Sequence, residues 1–319
     1  MAKSPSTRSK KSPRRSLSWE SVDLNEAPTA FSSLSSDQKD DSVSQSRHLV
    51  RHRRFRSSYM MATNGGATFE DILRPPPALD MPVPTEPKPD KGDLGLQNVI
   101  GPSDDRTQIN DTSRIPARSV GLLEIVPQFG PLRYGTAWLI GPRTLATAAH
   151  NLVHPQAGAA QSMRVGMACD GVTARGGWHK IIDNKFETGW QNNMVAGSEY
   201  DFAVLKIEDA SVGQKLGWFG FADYHDAKFG DMPVNVIGYP FDLQRFYMYG
   251  SIGRVKKVDE SRLYYDADAG EGMSGGPVIA RFGEERIAVG VHVAGGSPSN
   301  VGTRLTSLAY NLFSEFRDW

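Results

Sequence analysis

From Val99 onward, short apolar runs recur along the chain: Val120–Val126, Thr136–Ile140, Thr144–Ala148, Phe202–Ile207, Val234–Ile237, Leu263–Tyr265, Pro277–Ala280 and Ile287–Val293. Gly, Pro, Asn and Asp separate them at modest spacing. Runs of this length between turn residues predict strands, and many short strands in series predict an all-β barrel or sandwich. The end of the chain changes period. Leu305, Leu308, Ala309, Leu312, Phe313 and Phe316 recur every three or four residues, which is one apolar face of a helix. A β domain closed by a C-terminal helix is therefore expected. No internal repeat is visible.

The stretch before Val99 has another character. Residues 1–74 hold few aromatic or branched apolar residues and cannot bury enough surface to offset backbone ordering, so they are expected to be disordered. Pro75-Pro76-Pro77 through Pro89 predicts a stiff, extended linker and the best domain boundary in the chain. This gives a basic Ser/Arg-rich tail (1–74), a Pro-rich linker (75–98) and a folded domain (99–319).

Composition narrows the classes. The 319 residues carry 36 Lys plus Arg against 36 Asp plus Glu, so the whole chain has no electrostatic bias toward nucleic acid or membrane. The exception is the cluster Arg51-His52-Arg53-Arg54-Phe55-Arg56, which could touch phosphates or an acidic partner, or simply be a solvated basic segment. One cysteine, Cys169, allows no internal disulfide, and no Cys/His cluster suggests structural zinc. No apolar run approaches the roughly 20 residues needed for a membrane span. The opening Met1-Ala2-Lys3-Ser4 is basic, yet no apolar h-region follows it. The acidic residues Glu20, Asp23 and Glu26 weigh against an organelle transit peptide. Export without an apolar signal, or a start at Met60 or Met61, fits this opening.

The chemistry concentrates at Gly272-Met273-Ser274-Gly275-Gly276-Pro277. A serine between glycines has little steric cover. Gly272 lets the chain turn so that its own N–H and that of Ser274 point at one spot, a trap for the oxyanion of a tetrahedral intermediate. A serine hydroxyl needs a base. His150 in Thr147-Ala148-Ala149-His150 is the candidate base, and Asp201 in Tyr200-Asp201-Phe202-Ala203-Val204 is the candidate to orient it. His, Asp, Ser is one of the known triad orders. The competing readings are a plain Gly-rich turn for Ser274 and a strand-edge role for Asp201. His154 is read as surface or structural, because histidines four apart share a face only on a helix. Cys169 is read as a small buried residue.

Residues from about Asn98 to Trp319 resemble the trypsin-like serine peptidases, and within them the glutamyl endopeptidase (V8-like) group. The matching blocks are Asn98-Val99-Ile100-Gly101-Pro102-Ser103-Asp104-Asp105-Arg106-Thr107-Gln108-Ile109, Gly135–Ile140 leading to His150, Asp201–Leu205, Gly238-Tyr239-Pro240, Asp266–Ala269 with Gly272–Pro277, and Gly290-Val291-His292. The resemblance implies a chymotrypsin-like fold of two six-stranded antiparallel β-barrels. His150 and Asp201 would come from the first barrel and Ser274 from the second. It implies a serine endopeptidase acting on protein or peptide substrates without a cofactor, secreted or otherwise exported, and a monomer. It also implies a pro-segment removed to free Val99, whose new α-amino group would help bind an acidic side chain.

Departures from the family pattern set the specificity question. Met273 stands where the trypsin branch has the Asp that pairs with its new amino terminus. His292 fits the pocket histidine of the glutamyl group, with a satisfied core histidine as the other reading. Ala269 stands where that group has a threonine. Asp268 sits at the offset of trypsin's specificity aspartate and would favour Arg or Lys if it faced the pocket; it could instead bond backbone. Glu271 would hinder an acidic substrate if it faced the cleft. Gly295-Gly296 would let substrate backbone approach and pair as a strand. Three functions follow as expectations: the endopeptidase, a catalytically silent binding module on the same fold, and a domain tethered to an anionic surface by its basic tail.

Overall fold

The apolar runs are continuous because both faces of their strands are covered. The structure, a computed structural model, describes residues 18–21, 51–52, 55–58, 99–224, 229–282 and 285–319, with backbone alone at 51–52, 55–58 and 285. The expected disordered segment and linker otherwise lie outside the described residues.

The first barrel is built from β1 (Val120–Pro127), β2 (Arg133–Leu139), β3 (Thr144–Thr147), β4 (Gly158–Met167), β5 (Trp178–Glu187) and β6 (Ala203–Ile207). They pair antiparallel in the order β5-β6-β3-β2-β1-β4, and β4 closes back on β5. The second barrel uses β7 (Pro233–Gly238), β8 (Tyr249–Val258), β9 (Arg262–Tyr265), β10 (Pro277–Phe282), β11 (Glu285–Ala294) and β12 (Asn300–Arg304). Its order is β10-β7-β8-β9-β12-β11, closed by β11 on β10. Two closed six-stranded antiparallel barrels thus meet the expectation of a chymotrypsin-like fold.

Successive side chains on a strand face opposite ways. On β6, Ala203, Leu205 and Ile207 fill the first barrel, while Val204, with Phe202 just before the strand, enters the seam between barrels. On β7, Val234 and Val236 fill the second barrel and Ile237 joins the seam. The predicted C-terminal helix is α1 (Ser307–Phe316). It presses Phe313 onto the seam, edge-on to Trp138, Phe202 and Phe221 at centroid distances of 6.0, 6.2 and 5.5 Å. The seam therefore fixes one barrel against the other, and the cleft between them is where side chains from both can meet.

Two short tail segments lie on the barrel edges. Trp19–Glu20 pairs with β5, and the Trp19 indole N–H donates to Glu315 of α1 at 2.9 Å. Phe55–Ser58 pairs with Gly220–Tyr224, which runs parallel to β11. Among the described residues no helix is long and apolar enough to cross a membrane.

Candidate active site

β3 ends at Thr147, and a single 3₁₀ turn, Ala149–Asn151, carries His150 into the cleft. The register of β3 with β6 pairs Thr147 with Ala203, so Asp201, two residues upstream, falls beside that turn. Its fully buried carboxylate accepts from the His150 main-chain N–H at 3.0 Å, from His150 Nδ1 at 2.9 and 3.2 Å, and from the Gly197 N–H at 3.1 Å. With a carboxylate as its acceptor, Nδ1 holds the ring proton and Nε2 is left as the proton-accepting nitrogen. The Trp190 ring lies 6.5 Å from the imidazole, centroid to centroid.

Ser274 enters from the second barrel. Its carbonyl is gripped by the first, accepting from the Thr136 N–H at 2.8 Å and from Asn151 Nδ2 at 3.2 Å. Asn151 also donates to Thr147 Oγ1 at 3.0 Å. The turn bearing His150 is thus bonded directly to the residue bearing the serine hydroxyl. Sequence reasoning missed Asn151 and Thr136. The only signal available was that Asn151 directly follows the histidine.

The loop around Ser274 needs its glycines. Gly272 and Gly275 have φ of +94° and +91°, a region L side chains rarely adopt. A Cβ on Gly272 would lie 2.4 Å from the Tyr239 carbonyl oxygen, and one on Gly275 would lie 2.2 Å from that of Thr136. Thr136 Oγ1 donates to the Gly272 carbonyl at 2.9 Å, and the Gly275 N–H donates to the His292 carbonyl at 2.7 Å.

His292 on β11 is fully buried, with Nδ1 2.5 Å from Tyr265 Oη. Burial, and secondarily the nearness of His150, push its pKa down to about 3, so the ring is neutral. Its Nε2 is buried and has no hydrogen-bond partner among the described residues.

Asp268 does not offer its charge to a pocket. It is 1% exposed, and its two oxygens accept from the Ile100 N–H at 2.6 Å and the Asp105 N–H at 2.7 Å. Burial foremost raises its carboxyl above the ordinary range, and Asp104 and Asp105 add to this while the two amides oppose it. Both oxygens thus already have donors, the backbone-bonded alternative to the expected basic selectivity. Ala269 beside it is buried, Val99 is half-buried one residue before the anchored Ile100, and half-buried Gly295 follows the end of β11. Met273 is buried in the second-barrel core, and Glu271 is exposed. Arg133 reaches the His150 carbonyl at 3.4 Å, and burial pushes its pKa down to about 10 despite nearby Glu271.

The remaining candidates take structural places. His154 Nδ1 accepts from the Gln156 and Ala157 N–H groups at 3.2 Å each, and desolvation foremost pushes its pKa down to about 4. Among the described residues no group of three or more His, Cys, Asp or Glu is placed to hold a metal ion. Cys169 is buried, and burial pushes its thiol up to about 12, which keeps it from nucleophilic work.

Residues 135–291 match the family model of the trypsin-like peptidase domain. A glutamyl endopeptidase of Bacillus licheniformis is 28% identical over 240 residues, covering 72% of each chain. A Bacillus subtilis protein named extracellular metalloprotease is 26% identical over 220 residues, covering 68% of this chain and 69% of its own. Among solved structures, a Glu endopeptidase superposes with a TM-score of 0.60 at 24% identity, covering 69% of this chain and 99% of that one. The protease Anisep of Arthrobacter nicotinovorans gives 0.54 at 15% identity, covering 64% and 97%. At these identities both superpositions speak for the fold alone. The barrels, the cleft between them and the matched family domain lead to one conclusion: the chain carries a trypsin-like peptidase domain and is a serine endopeptidase.

Proposed function

We propose that the chain cleaves peptide bonds through a triad of His150, Asp201 and Ser274. The observation that carries this reading is the buried Asp201 carboxylate on His150 Nδ1, in a turn bonded through Asn151 to Ser274. Ser274 attacks the scissile carbonyl while His150 Nε2 takes the hydroxyl proton. Asp201 stabilises the resulting imidazolium, and the amides of Gly272 and Ser274 receive the oxyanion. His150 then protonates the leaving amine. Water, deprotonated by the same nitrogen, hydrolyses the acyl-enzyme and restores Ser274.

We also propose an acidic preference at the residue before the scissile bond. His292 is held as a neutral ring, so it would recognise a carboxylate through an Nε2–H donor rather than through charge. The cation would come from Val99 once the pro-segment, residues 1–98, is removed. Support comes from the amide-bound state of Asp268, whose two oxygens already have donors, and from likeness to a relative named glutamyl endopeptidase. Export of the proenzyme and action as a monomer complete the proposal; one relative is named extracellular.

Digestion of an unbiased peptide library by the matured chain tests both parts, with Ser274→Ala as control. Cleavage after Glu or Asp, lost in the control, is expected. Cleavage after Arg or Lys would overturn the acidic preference. Hydrolysis persisting in the control would show that Ser274 is not the nucleophile.

A further inference from the structure

The residue before Ser274 is an apolar, buried Met273, so no ionic group at that position anchors the loop. The ionic anchors lie elsewhere. The Arg106 side chain is 1% exposed and is gripped by two carboxylates. Nε and Nη2 donate to Asp104 at 2.9 and 2.7 Å, and Nη1 and Nη2 donate to Asp242 at 2.8 and 2.6 Å. Paired planar contacts of this kind fix orientation as well as position. The guanidinium lies directly on Gly270, where a Cβ would sit 2.1 Å from Nη1 and 2.3 Å from Asp242 Oδ1. Only a glycine admits the cation there.

From Asp242 the restraint runs on. Its neighbour Phe241 donates its N–H to the Glu271 carbonyl at 2.7 Å, immediately before Gly272. At the other end of the loop, Asp268 accepts from Ile100 and Asp105, and Ser251 Oγ donates to the Asp268 carbonyl at 2.5 Å. The loop from Asp268 to Gly272 is therefore clamped at Asp268, Gly270 and Glu271, in each case directly or indirectly by residues 100–106. The first barrel holds its last residue through Thr136 Oγ1.

We infer that Arg106 and Asp268 are positioning residues that hold the oxyanion loop through the amino-terminal segment 100–106. The inference rests on reading Gly272 and Ser274 as the oxyanion donors. Its anchors are side chains and peptide N–H groups from Ile100 onward, and none is the α-amine that a cut before Val99 would create. The loop is therefore set before maturation, and the cut changes substrate recognition rather than loop formation.

The test is the rate at which a fluorophosphonate labels Ser274 in the full chain. It is measured before and after the pro-segment is cut, with the amino terminus read by mass spectrometry. The uncut wild-type chain is expected to label. Arg106→Met and Asp268→Asn are expected to slow labelling by about tenfold to a hundredfold, the scale of a misplaced oxyanion donor. On a peptide substrate of the matured chain, kcat should fall with KM little changed. Arg106→Lys, which keeps the charge without the fork, should fall between. Thermal melting confirms that each variant is folded; if Arg106→Met is not, Arg106→Lys and Asp268→Asn decide. Wild-type labelling rates in folded variants would overturn the positioning role. An uncut chain that stays unlabelled while the cut chain labels would overturn the preset loop. Failure of every form to label would instead overturn the Ser274 reading on which the inference rests.

Discussion

Asn151 Nδ2 donates to the Ser274 carbonyl at 3.2 Å, tying the histidine turn of one barrel to the serine loop of the other. The same amide nitrogen donates to Thr147 Oγ1, and a Cβ on Gly135 would lie 2.7 Å from it. Asn151 is thus boxed in on three sides, and its bond to Ser274 spans the cleft.

Asn151→Ala removes that bond but leaves the Thr136 N–H on the Ser274 carbonyl. Losing a buried hydrogen bond costs about 1–3 kcal/mol, and a small shift of His150 against Ser274 is expected to lower kcat about tenfold. Urea unfolding and steady-state kinetics check the two effects separately. A stability loss with unchanged kcat would show that Thr136 alone sets the position of Ser274.

Gly275 and Gly130 separate backbone strain from close packing. Both have positive φ, of +91° and +86°. A Cβ on Gly130 meets nothing within 4 Å, whereas one on Gly275 meets the Thr136 carbonyl oxygen at 2.2 Å. Gly130→Ala should cost roughly 1–2 kcal/mol from strain alone. Gly275→Ala should cost roughly 3 kcal/mol or more, because backbone from both barrels must move. Equal shifts in the urea midpoint would contradict this account of why the serine is flanked by glycine.

The sequence was legible where a strand buries both faces, since such strands read as unbroken apolar runs. Phe202–Ile207 and Val234–Ile237 are of this kind. β4, β5, β8 and β12 were not found, because polar residues and glycines interrupt them. Lys180, Ile182, Lys256 and Lys257 face solvent, and no local signal separates such a stretch from a loop. At the site, His150, Asp201 and Ser274 stood out because each lies in a short motif. Asn151, Thr136 and Arg106 did not. Their partners are 123, 136 and 136 residues away at the contacts to Ser274, Gly272 and Asp242, so only the fold gives them a role.

Two neutral histidines, one buried and one half-buried, make the fold sensitive to acid. His292, at about 3, and His154, at about 4, are both held below the ordinary value of about 6.5. Below that value the unfolded chain takes up protons that the folded chain refuses. Stability is therefore fully present above about pH 6.5 and is lost as pH falls toward 3, by up to roughly 1.4 kcal/mol per pH unit for His292. His292→Gln should flatten the fall in melting temperature between pH 6.5 and 4. A slope as steep as that of the wild type would mean that other groups govern acid unfolding.

Tyr265 is the hydrogen-bond partner of His292 Nδ1, and its donor role is coupled to the ring's tautomer. Its hydroxyl lies 2.5 Å from Nδ1, and both residues are fully buried. Nδ1 accepts when Tyr265 donates, and the ring proton then sits on Nε2, the nitrogen without a partner. A neutral ring in that tautomer presents a donor suited to a substrate carboxylate. Tyr265→Phe removes the hydroxyl and leaves the tautomer unfixed. KM for a substrate with Glu before the scissile bond should then rise about tenfold, the scale of one lost hydrogen bond to a charged group, while kcat changes less. A neutral-residue substrate should be little affected. An equal loss on both substrates would assign Tyr265 and His292 to the packing of the second barrel rather than to recognition.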